Sequence, residues 1–152
     1  MKKTILLLLF IYNLSFSNSL GLTNVDLIIL EKIKSLTDDK MMKYTLMAIA
    51  IKESSVGKKQ INNISNDYGL FQSNIKSVIK RQKVPDTIYN RRYFAQKLVY
   101  DVGFSTANAI VEIDYWRKVH NDNWIKIWAS YNTGWKYKSN TGLDYATSVF
   151  DI

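Results

Sequence analysis

Residues 53–57 read Glu-Ser-Ser-Val-Gly, and residues 67–74 read Asp-Tyr-Gly-Leu-Phe-Gln-Ser-Asn. The segment before the first stretch carries apolar residues at helical spacing, on what would be one face of an α-helix: Met42, Leu46, Ile49 and Ala50. Glu53 comes next on that face, and Gly57 has the permissive backbone that helix C-termini commonly use. The two stretches therefore predict a helix that delivers Glu53 to the start of a polar segment.

A carboxylic acid on the buried side of a helix end is partly desolvated. Desolvation disfavours the charged form and raises the pKa, so such a group can donate a proton near neutral pH. An arbitrary glutamate at a helix end is more often a solvated surface residue, since ionisable groups are rarely buried. The residues that follow Glu53 favour the first interpretation.

The second stretch adds a second carboxylate, Asp67, and a set of groups suited to binding sugars. Aromatic rings can stack on sugars, and side-chain amides can both donate and accept hydrogen bonds. The candidates are Tyr68 and Phe71 for stacking, and Gln72 and Asn74 for hydrogen bonding. Gly69 would let the backbone turn or a ligand approach closely.

Three short motifs resemble the signatures of the soluble lytic transglycosylase family. They are Glu53-Ser54-Ser55, then Gly69-Leu70-Phe71-Gln72, and later Tyr131-Asn132-Thr133-Gly134. Each alone is weak, but their order and spacing are specific. Residues 67–74 are also similar to the small transglycosylases of secretion and conjugation machines, and to c-type lysozymes.

The resemblance implies a mainly α fold, of the α+β lysozyme-like type. A short irregular or hairpin segment would flank the cleft in a single compact domain. It implies that Glu53 is the catalytic acid and that Ser54 contributes to substrate binding. Tyr131 and Asn132 would line the floor of the cleft, and Tyr145 would lie beside the bound sugar.

Three functions stay open under this resemblance. A lytic transglycosylase needs one carboxylate, which first donates a proton and then activates the 6-hydroxyl of N-acetylmuramic acid. A lysozyme-type hydrolase would use Glu53 with Asp67 as the second carboxylate. A non-catalytic glycan-binding protein that serves a secretion system would use the cleft as a docking surface, because fold does not guarantee function.

The composition excludes several other kinds of site. The chain has no Cys, which removes thiol nucleophiles, disulfides and Cys-ligated metals. Its single histidine, His120, precedes Asn121-Asp122-Asn123 and is expected on the surface of a turn. A zinc site built on two or three His is thereby excluded, and we expect neither metal nor cofactor.

The N-terminus has the pattern of a secretory signal peptide. Lys2 and Lys3 precede an apolar run, Ile5 to Tyr12, that is too short to span a membrane, and small and polar residues follow. We expect a signal peptide over residues 1–19, a domain over 20–152, no stable membrane span after cleavage, and a periplasmic or extracellular protein. Without Lys2 and Lys3 the chain has 19 basic and 13 acidic residues.

That positive charge suits anionic envelope polymers better than nucleic acid, since no nucleic-acid-binding module is recognisable. The expected partner is therefore the glycan strand of peptidoglycan. Secretion or conjugation machinery is an expected partner on resemblance alone.

Further helices are predicted from capping residues and apolar periodicity. Asn24 is the predicted cap of the first helix, and the turn Thr37-Asp38-Asp39 is predicted to supply the cap of the helix that leads to Glu53. Pro85 is predicted at the first position of a helix running toward Val99, and Ser105 as the cap of the one after it. An aromatic stripe at 124–131 marks another helix, most of which should be core.

Overall fold

The computed structural model describes residues 21–152, so the signal peptide predicted over residues 1–19 lies outside the described residues. Seven α-helices and a small sheet make up this part of the chain. The helices are α1 Asn24–Lys34, α2 Lys40–Ser54, α3 Ile75–Gln82, α4 Ile88–Tyr100, α5 Val102–His120, α6 Trp124–Thr133 and α7 Asn140–Phe150. Within residues 21–152 no helix is both long and apolar enough to cross a membrane. The predicted mainly α fold with a small β part is confirmed.

The cap of α2 lies in the predicted turn Thr37-Asp38-Asp39, but two other helices begin at residues that sequence reasoning did not choose. Within that turn it is the Asp39 carboxylate that accepts the Met42 N–H, at 2.9 Å. Helix α1 is capped by Thr23, not Asn24, because Thr23 and Asp26 exchange side-chain and backbone hydrogen bonds in a capping box. Helix α5 is capped by Asp101, so Ser105 is a buried residue inside the helix.

Helix α4 starts later than the proline predicted. Pro85 precedes the helix, and Thr87 caps it by accepting the Asn90 N–H at 3.2 Å. The segment between α3 and α4 is therefore an extended connection in which the Pro85 carbonyl accepts the Asn90 side-chain amide at 2.7 Å.

The main core is built around α2. Its predicted apolar face is buried, since Met42 is 2% exposed and Leu46, Ile49 and Ala50 are 0% exposed. Residues of α1, α5, α6 and α7 pack on it, among them Ile33, Ile113, Ile127 and Val149. This packing fixes the direction of α2 and hence the position of its C-terminal residue pair, Glu53 and Ser54.

Three two-residue strands follow α2, in the place where a short hairpin was predicted. They are β1 Ile61–Asn62, β2 Asp67–Tyr68 and β3 Ser73–Asn74, paired antiparallel in that order. In this register Asp67 lies opposite both Asn62 and Asn74, and Tyr68 lies opposite Ile61 and Ser73. The central strand therefore carries Asp67.

A second, smaller apolar cluster joins α3 and α4 to the sheet. Its buried members are Ile75, Val78, Ile79, Phe94 and Leu98, and Tyr68 packs against it. Gly69 makes the close approach possible: a Cβ at this position would overlap the Leu98 carbonyl oxygen and lie 2.8 Å from its carbonyl carbon. The sheet is thus held against α4 at one side and against the main core, through Leu70 and Phe71, at the other.

Candidate active site

Glu53 lies in the last turn of α2, and its carboxyl group is half-buried. Burial raises the pKa of Glu53, and the nearby negative charge of Asp67 raises it further. A hydrogen bond from Tyr145 and the charge of Lys52 act in the opposite direction without cancelling the rise. A carboxyl group in this setting holds its proton at a higher pH than an ordinary glutamate does.

Tyr145 on α7 is the direct partner of Glu53. Its hydroxyl donates to Glu53 Oε1 at 2.6 Å, across 92 positions of sequence. Burial, with the charge of Glu53 as a second cause, raises the pKa of Tyr145 well above 10.0, so the phenol stays protonated and remains a donor. Tyr145 is 7% exposed and therefore orients the acid more than it offers surface to a sugar.

Ser54 is a structural link and not a substrate contact. The Ser54 hydroxyl donates toward the carbonyl oxygens of Leu70, at 2.9 Å, and Ala50, at 3.2 Å. Its oxygen accepts the Gly57 N–H at 2.9 Å. The side chain is fully buried, and none of its surface is open to a substrate in this structure. It joins the end of α2 to the turn after β2.

The ring of Phe71 is also in the core, with 0% exposure, and cannot stack on a sugar. The physical reason is the turn, because positive φ angles at Gly69 and Gln72 direct Leu70 and Phe71 inward. The backbone of Phe71 nevertheless belongs to the site: its carbonyl oxygen accepts the Tyr131 hydroxyl at 2.9 Å.

Tyr131 and Asn132 end α6 on the same side of the molecule as Glu53. The pKa of Tyr131 is raised well above 10.0, chiefly by burial and secondly by the charge of Glu53, which places the two groups near each other. Asn132, the next residue, has an exposed side chain. Tyr131 is therefore held by the Phe71 carbonyl oxygen, while the exposed side chain of Asn132 is accessible to a ligand.

Asp67 is held in the sheet by its cross-strand neighbour. Its Oδ1 accepts a hydrogen bond from Asn74 Nδ2 at 2.8 Å, and the same amide nitrogen donates to the Ser65 carbonyl oxygen at 3.0 Å. The Asn74 oxygen accepts the Lys76 N–H at 3.2 Å and caps α3. Asn74 is therefore occupied by orienting Asp67 and starting α3, while Asp67 remains half-buried and electrostatically coupled to Glu53.

Tyr68 and Gln72 are partly exposed at the sheet. The Tyr68 hydroxyl donates to Asn63 at 3.4 Å, and Gln72 Nε2 donates to the carbonyl oxygens of Lys59 and Gly69 at 3.2 and 3.1 Å. Both retain surface that a ligand could reach. The Tyr145–Glu53 hydrogen bond and the charge interactions of Glu53 thus bring Glu53, Asp67, Tyr131 and Tyr145 together, while Tyr68, Gln72 and Asn132 retain exposed surface.

Sequence reasoning missed Lys58 and Asp26, which hold the loop after Glu53. Lys58 Nζ donates to Asp26 Oδ2 at 2.8 Å, and Asp26 is only 3% exposed. Ser55 and Val56, between Glu53 and this bridge, have left-handed backbones with φ of 51° and 56°. A buried aspartate on α1 gives no local signal of its partner 32 positions later.

His120 is a packing residue and not a surface residue in a turn. It is the last residue of α5, half-buried, with its ring stacked on Trp116 at 5.8 Å. Its Nε2 lies 2.8 Å from Ser130 Oγ, but Ser130 is 1% exposed, so a substrate cannot reach this pair. Burial lowers the pKa of His120.

Two further observations concern other sites in residues 21–152. No group of three or more His, Cys, Asp or Glu side chains there is arranged to hold a metal ion. A cavity of about 670 Å³ lies between α1, α2 and α7 and is lined mainly by apolar side chains such as Leu27, Met47 and Phe150. Neither Glu53 nor Asp67 lines it. The acid–base groups lie elsewhere on the molecule.

Comparison with known proteins agrees with the motifs and the fold. The sequence model of the "Transglycosylase SLT domain" family matches residues 32–147. The chain is 29% identical over 110 residues to the "Uncharacterized 20.7 kDa protein in vs-regB intergenic region" of Enterobacteria phage T4, a match covering 71% of this chain and 59% of that protein. No solved structure matches the chain. Because the family match covers most of the chain, including α2, the sheet, α6 and most of α7, this protein belongs to the transglycosylase SLT domain family.

Proposed function

We propose that this protein is a peptidoglycan lytic transglycosylase. It cleaves the β-1,4 glycosidic bond between N-acetylmuramic acid and N-acetylglucosamine and leaves a 1,6-anhydro end. The observation that carries the proposal is the half-buried Glu53 carboxyl, with a raised pKa and a hydrogen bond from Tyr145, in a chain of this family.

The reaction uses one carboxyl group twice. Glu53 donates its proton to the glycosidic oxygen, the bond to C1 of the muramic acid breaks, and an oxocarbenium-like centre develops. The Glu53 carboxylate then accepts the proton of the 6-hydroxyl of the same sugar, and that oxygen bonds to C1. Glu53 ends protonated, so no water and no cofactor is consumed.

Tyr145 tunes this cycle. Its hydrogen bond stabilises the carboxylate form that exists between the two proton transfers, while burial stabilises the protonated form that starts the reaction. The two effects oppose each other, so neither protonation state of Glu53 is favoured by both.

The second candidate is a lysozyme-type hydrolase, favoured by the position of Asp67. Asp67 is held by Asn74, is half-buried, and lies near enough for its charge to raise the pKa of Glu53. A water molecule would then take the place of the 6-hydroxyl, with Asp67 as nucleophile or as stabiliser of the oxocarbenium centre.

Incubation with purified peptidoglycan, followed by mass spectrometry of the released muropeptides, separates these candidates. Anhydro ends support the transglycosylase, and reducing ends support the hydrolase. Absence of release, from a protein shown to be folded, would overturn both and leave a glycan-binding role for the cleft. Glu53→Gln is the matched control, since it keeps the shape of the side chain and removes its proton.

We further propose that the protein acts outside the cytoplasm, in the periplasm or beyond it, where its substrate lies. Its place in a secretion or conjugation apparatus is a proposal from the resemblance of residues 67–74. Fractionation of cells that produce the full-length chain tests the location: recovery of mature protein solely from the cytoplasm would contradict it.

A further inference from the structure

The positive charge of this protein is concentrated in the α3–α4 hairpin. Residues 75–100 contain seven Lys and Arg and a single acidic residue, Asp86. The rest of residues 21–152 carries twelve basic and twelve acidic side chains, which balance. The net charge of +6 in residues 21–152 is thus carried by residues 75–100, which are α3, α4 and the connection between them.

Four of these seven basic side chains are exposed and form no ion pair with residues 21–152. Arg81 pairs with Glu112 at 3.1 Å, Arg91 pairs with Asp86 at 2.6 Å, and Lys97 lies over the Phe104 ring at 4.8 Å. The remaining four are Lys76, Lys80, Lys83 and Arg92. We call them the hairpin cations.

The helix period places two of the hairpin cations on one side of α3. Lys76 and Lys80 are four residues apart on its exposed side, away from the buried Ile75, Val78 and Ile79. They lie about 6 Å apart along the helix axis at 1.5 Å per residue. Lys83 follows the last residue of α3 as its C-cap, with a left-handed backbone of φ 55°. Arg92 is exposed on α4, which packs against α3.

The hairpin cations begin beside the candidate active site. Asn74, which orients Asp67, is also the cap of α3, two residues before Lys76. At the same end of the hairpin, Arg91 is close enough to Tyr68 for their charges to interact. The basic side chains therefore begin next to Asp67 and Tyr68.

We propose that the hairpin cations bind the carboxylates of the peptide stems that hang from the glycan strand, while the cleft binds the sugars. This inference rests on the proposed function for its substrate. Each exposed cation contributes little alone. Together they raise the local concentration of an acidic ligand and orient its approach.

A different class of partner, nucleic acid, is the alternative that the experiment must be able to reveal. Helix α4 exposes Tyr89, Tyr93 and Tyr100 as well as Arg92, and surfaces that combine aromatic rings with cations can also bind single-stranded nucleic acid. Continuity with the candidate active site favours peptidoglycan.

The test measures binding, not cleavage, and uses Glu53→Gln as the parent so that the substrate stays intact. The hairpin variant adds Lys76→Gln, Lys80→Gln, Lys83→Gln and Arg92→Gln. The matched control adds Lys32→Gln, Lys40→Gln, Lys118→Gln and Lys136→Gln, four exposed lysines of other elements with the same change in net charge. Unfolding temperatures of the three proteins establish that each is folded.

Co-sedimentation is measured with intact peptidoglycan sacculi and with glycan strands from which the peptides have been removed. We expect the hairpin variant to bind intact sacculi about tenfold more weakly than the parent at about 0.1 M salt, and the matched control to stay within about twofold. At about 1 M salt, where the Debye length is about 3 Å, the difference should vanish. On peptide-free strands all three should bind alike.

The outcomes separate this inference from the proposed function. Equal loss in the hairpin variant and the control, no loss in either, or equal loss with and without peptides, overturns the inference alone, because the parent still binds glycan. A parent that binds neither form of peptidoglycan overturns the proposed substrate, and the inference with it. Binding to single-stranded DNA is measured for the same proteins. If the hairpin variant loses more affinity for DNA than for sacculi, the hairpin cations are a nucleic-acid site and the inference is overturned.

Discussion

The hydrogen bond between Tyr145 and Glu53 gives a test of which group sets the pH dependence of activity. The Tyr145 hydroxyl lowers the pKa of Glu53, so its removal in Tyr145→Phe should raise that pKa. Glu53 then stays protonated to higher pH, and the alkaline limb of the pH–rate profile should shift to higher pH. We also expect a rate loss of about tenfold or more, because the carboxyl loses its orientation.

The measurement is kcat/KM for peptidoglycan solubilisation across pH. Tyr100→Phe is the control, since Tyr100 is 84% exposed. An alkaline limb that stays in place, or shifts to lower pH, would show that the titration of Glu53 does not set this limb.

Asp67→Asn should shift the same limb in the opposite direction. The charge of Asp67 raises the pKa of Glu53, so a neutral side chain of the same shape should lower it. A transglycosylase should keep most of its maximal rate, because Asp67 takes no part in its proton transfers. A loss of about a hundredfold or more in kcat, with a near-normal KM, would instead assign hydrolysis with Asp67 as the second carboxylate.

Glu53→Gln should abolish cleavage without weakening the fold. Because the folded-state pKa of Glu53 is raised, the stability that its protonated form contributes is present at low pH and is lost as pH rises through that pKa. Gln resembles the protonated form. Denaturant titrations should therefore show the variant gaining free energy of unfolding relative to wild type as pH rises from about 4 to about 8. A difference that stays constant with pH would contradict the raised pKa.

At the scale of elements, the sheet is tied to α4 through Gly69. Gly69→Ala places a methyl group against the Leu98 carbonyl at a residue with φ of +82°, so we expect a loss of more than about 2 kcal/mol in the free energy of unfolding. Gly21→Ala is the control: its φ is +62° and nothing in residues 21–152 lies within 4 Å of the added atom, so it should cost about 1 kcal/mol or less. Equal losses would show that Leu98 can move away.

The elements also show what the sequence could predict. The period of Met42, Leu46 and Ile49 identified α2 and the direction of Glu53, because apolar spacing reports a buried face directly. The inward turn of Phe71 could not be predicted in this way. It depends on the left-handed backbone at Gln72, a residue type that seldom adopts it.

Cap positions failed for a related reason. Ser105 and Asp101 are both good capping residues, and only the tight succession of α4 and α5 decides between them. The same limit applies to Ser54, whose motif predicted a ligand contact while its hydroxyl joins two parts of the chain that local sequence does not relate.

At the scale of the whole molecule, Asp26 joins α1 to the loop after Glu53. Burial alone would raise the pKa of Asp26, but hydrogen bonds from Lys58 and Thr23 outweigh it and hold that pKa below 3.8. The stability from these contacts is complete above the unfolded-state pKa and is lost as pH falls through the lower folded-state value.

Asp26→Asn should therefore cost about 2 kcal/mol of unfolding free energy at pH 7, and progressively less below about pH 4. Asp38→Asn, at an exposed position, is the control and should change stability by less than about 0.5 kcal/mol. Denaturant titrations at several pH values measure both. A cost that persists undiminished at low pH would mean that packing, and not the charge of Asp26, is responsible.

The floor of the candidate active site is attached through main-chain oxygens. Ser54 bonds to the carbonyl oxygen of residue 70, and Tyr131 to that of residue 71. A carbonyl oxygen is present whatever side chain the residue carries. Substitutions at positions 70 and 71 are therefore limited by the volume and apolar character of the core that these side chains fill. The hydrogen bonds from Ser54 and Tyr131 are kept whichever side chain is present. Saturation mutagenesis should accordingly find these two positions tolerant of apolar replacements, and positions 54 and 131 intolerant of almost any.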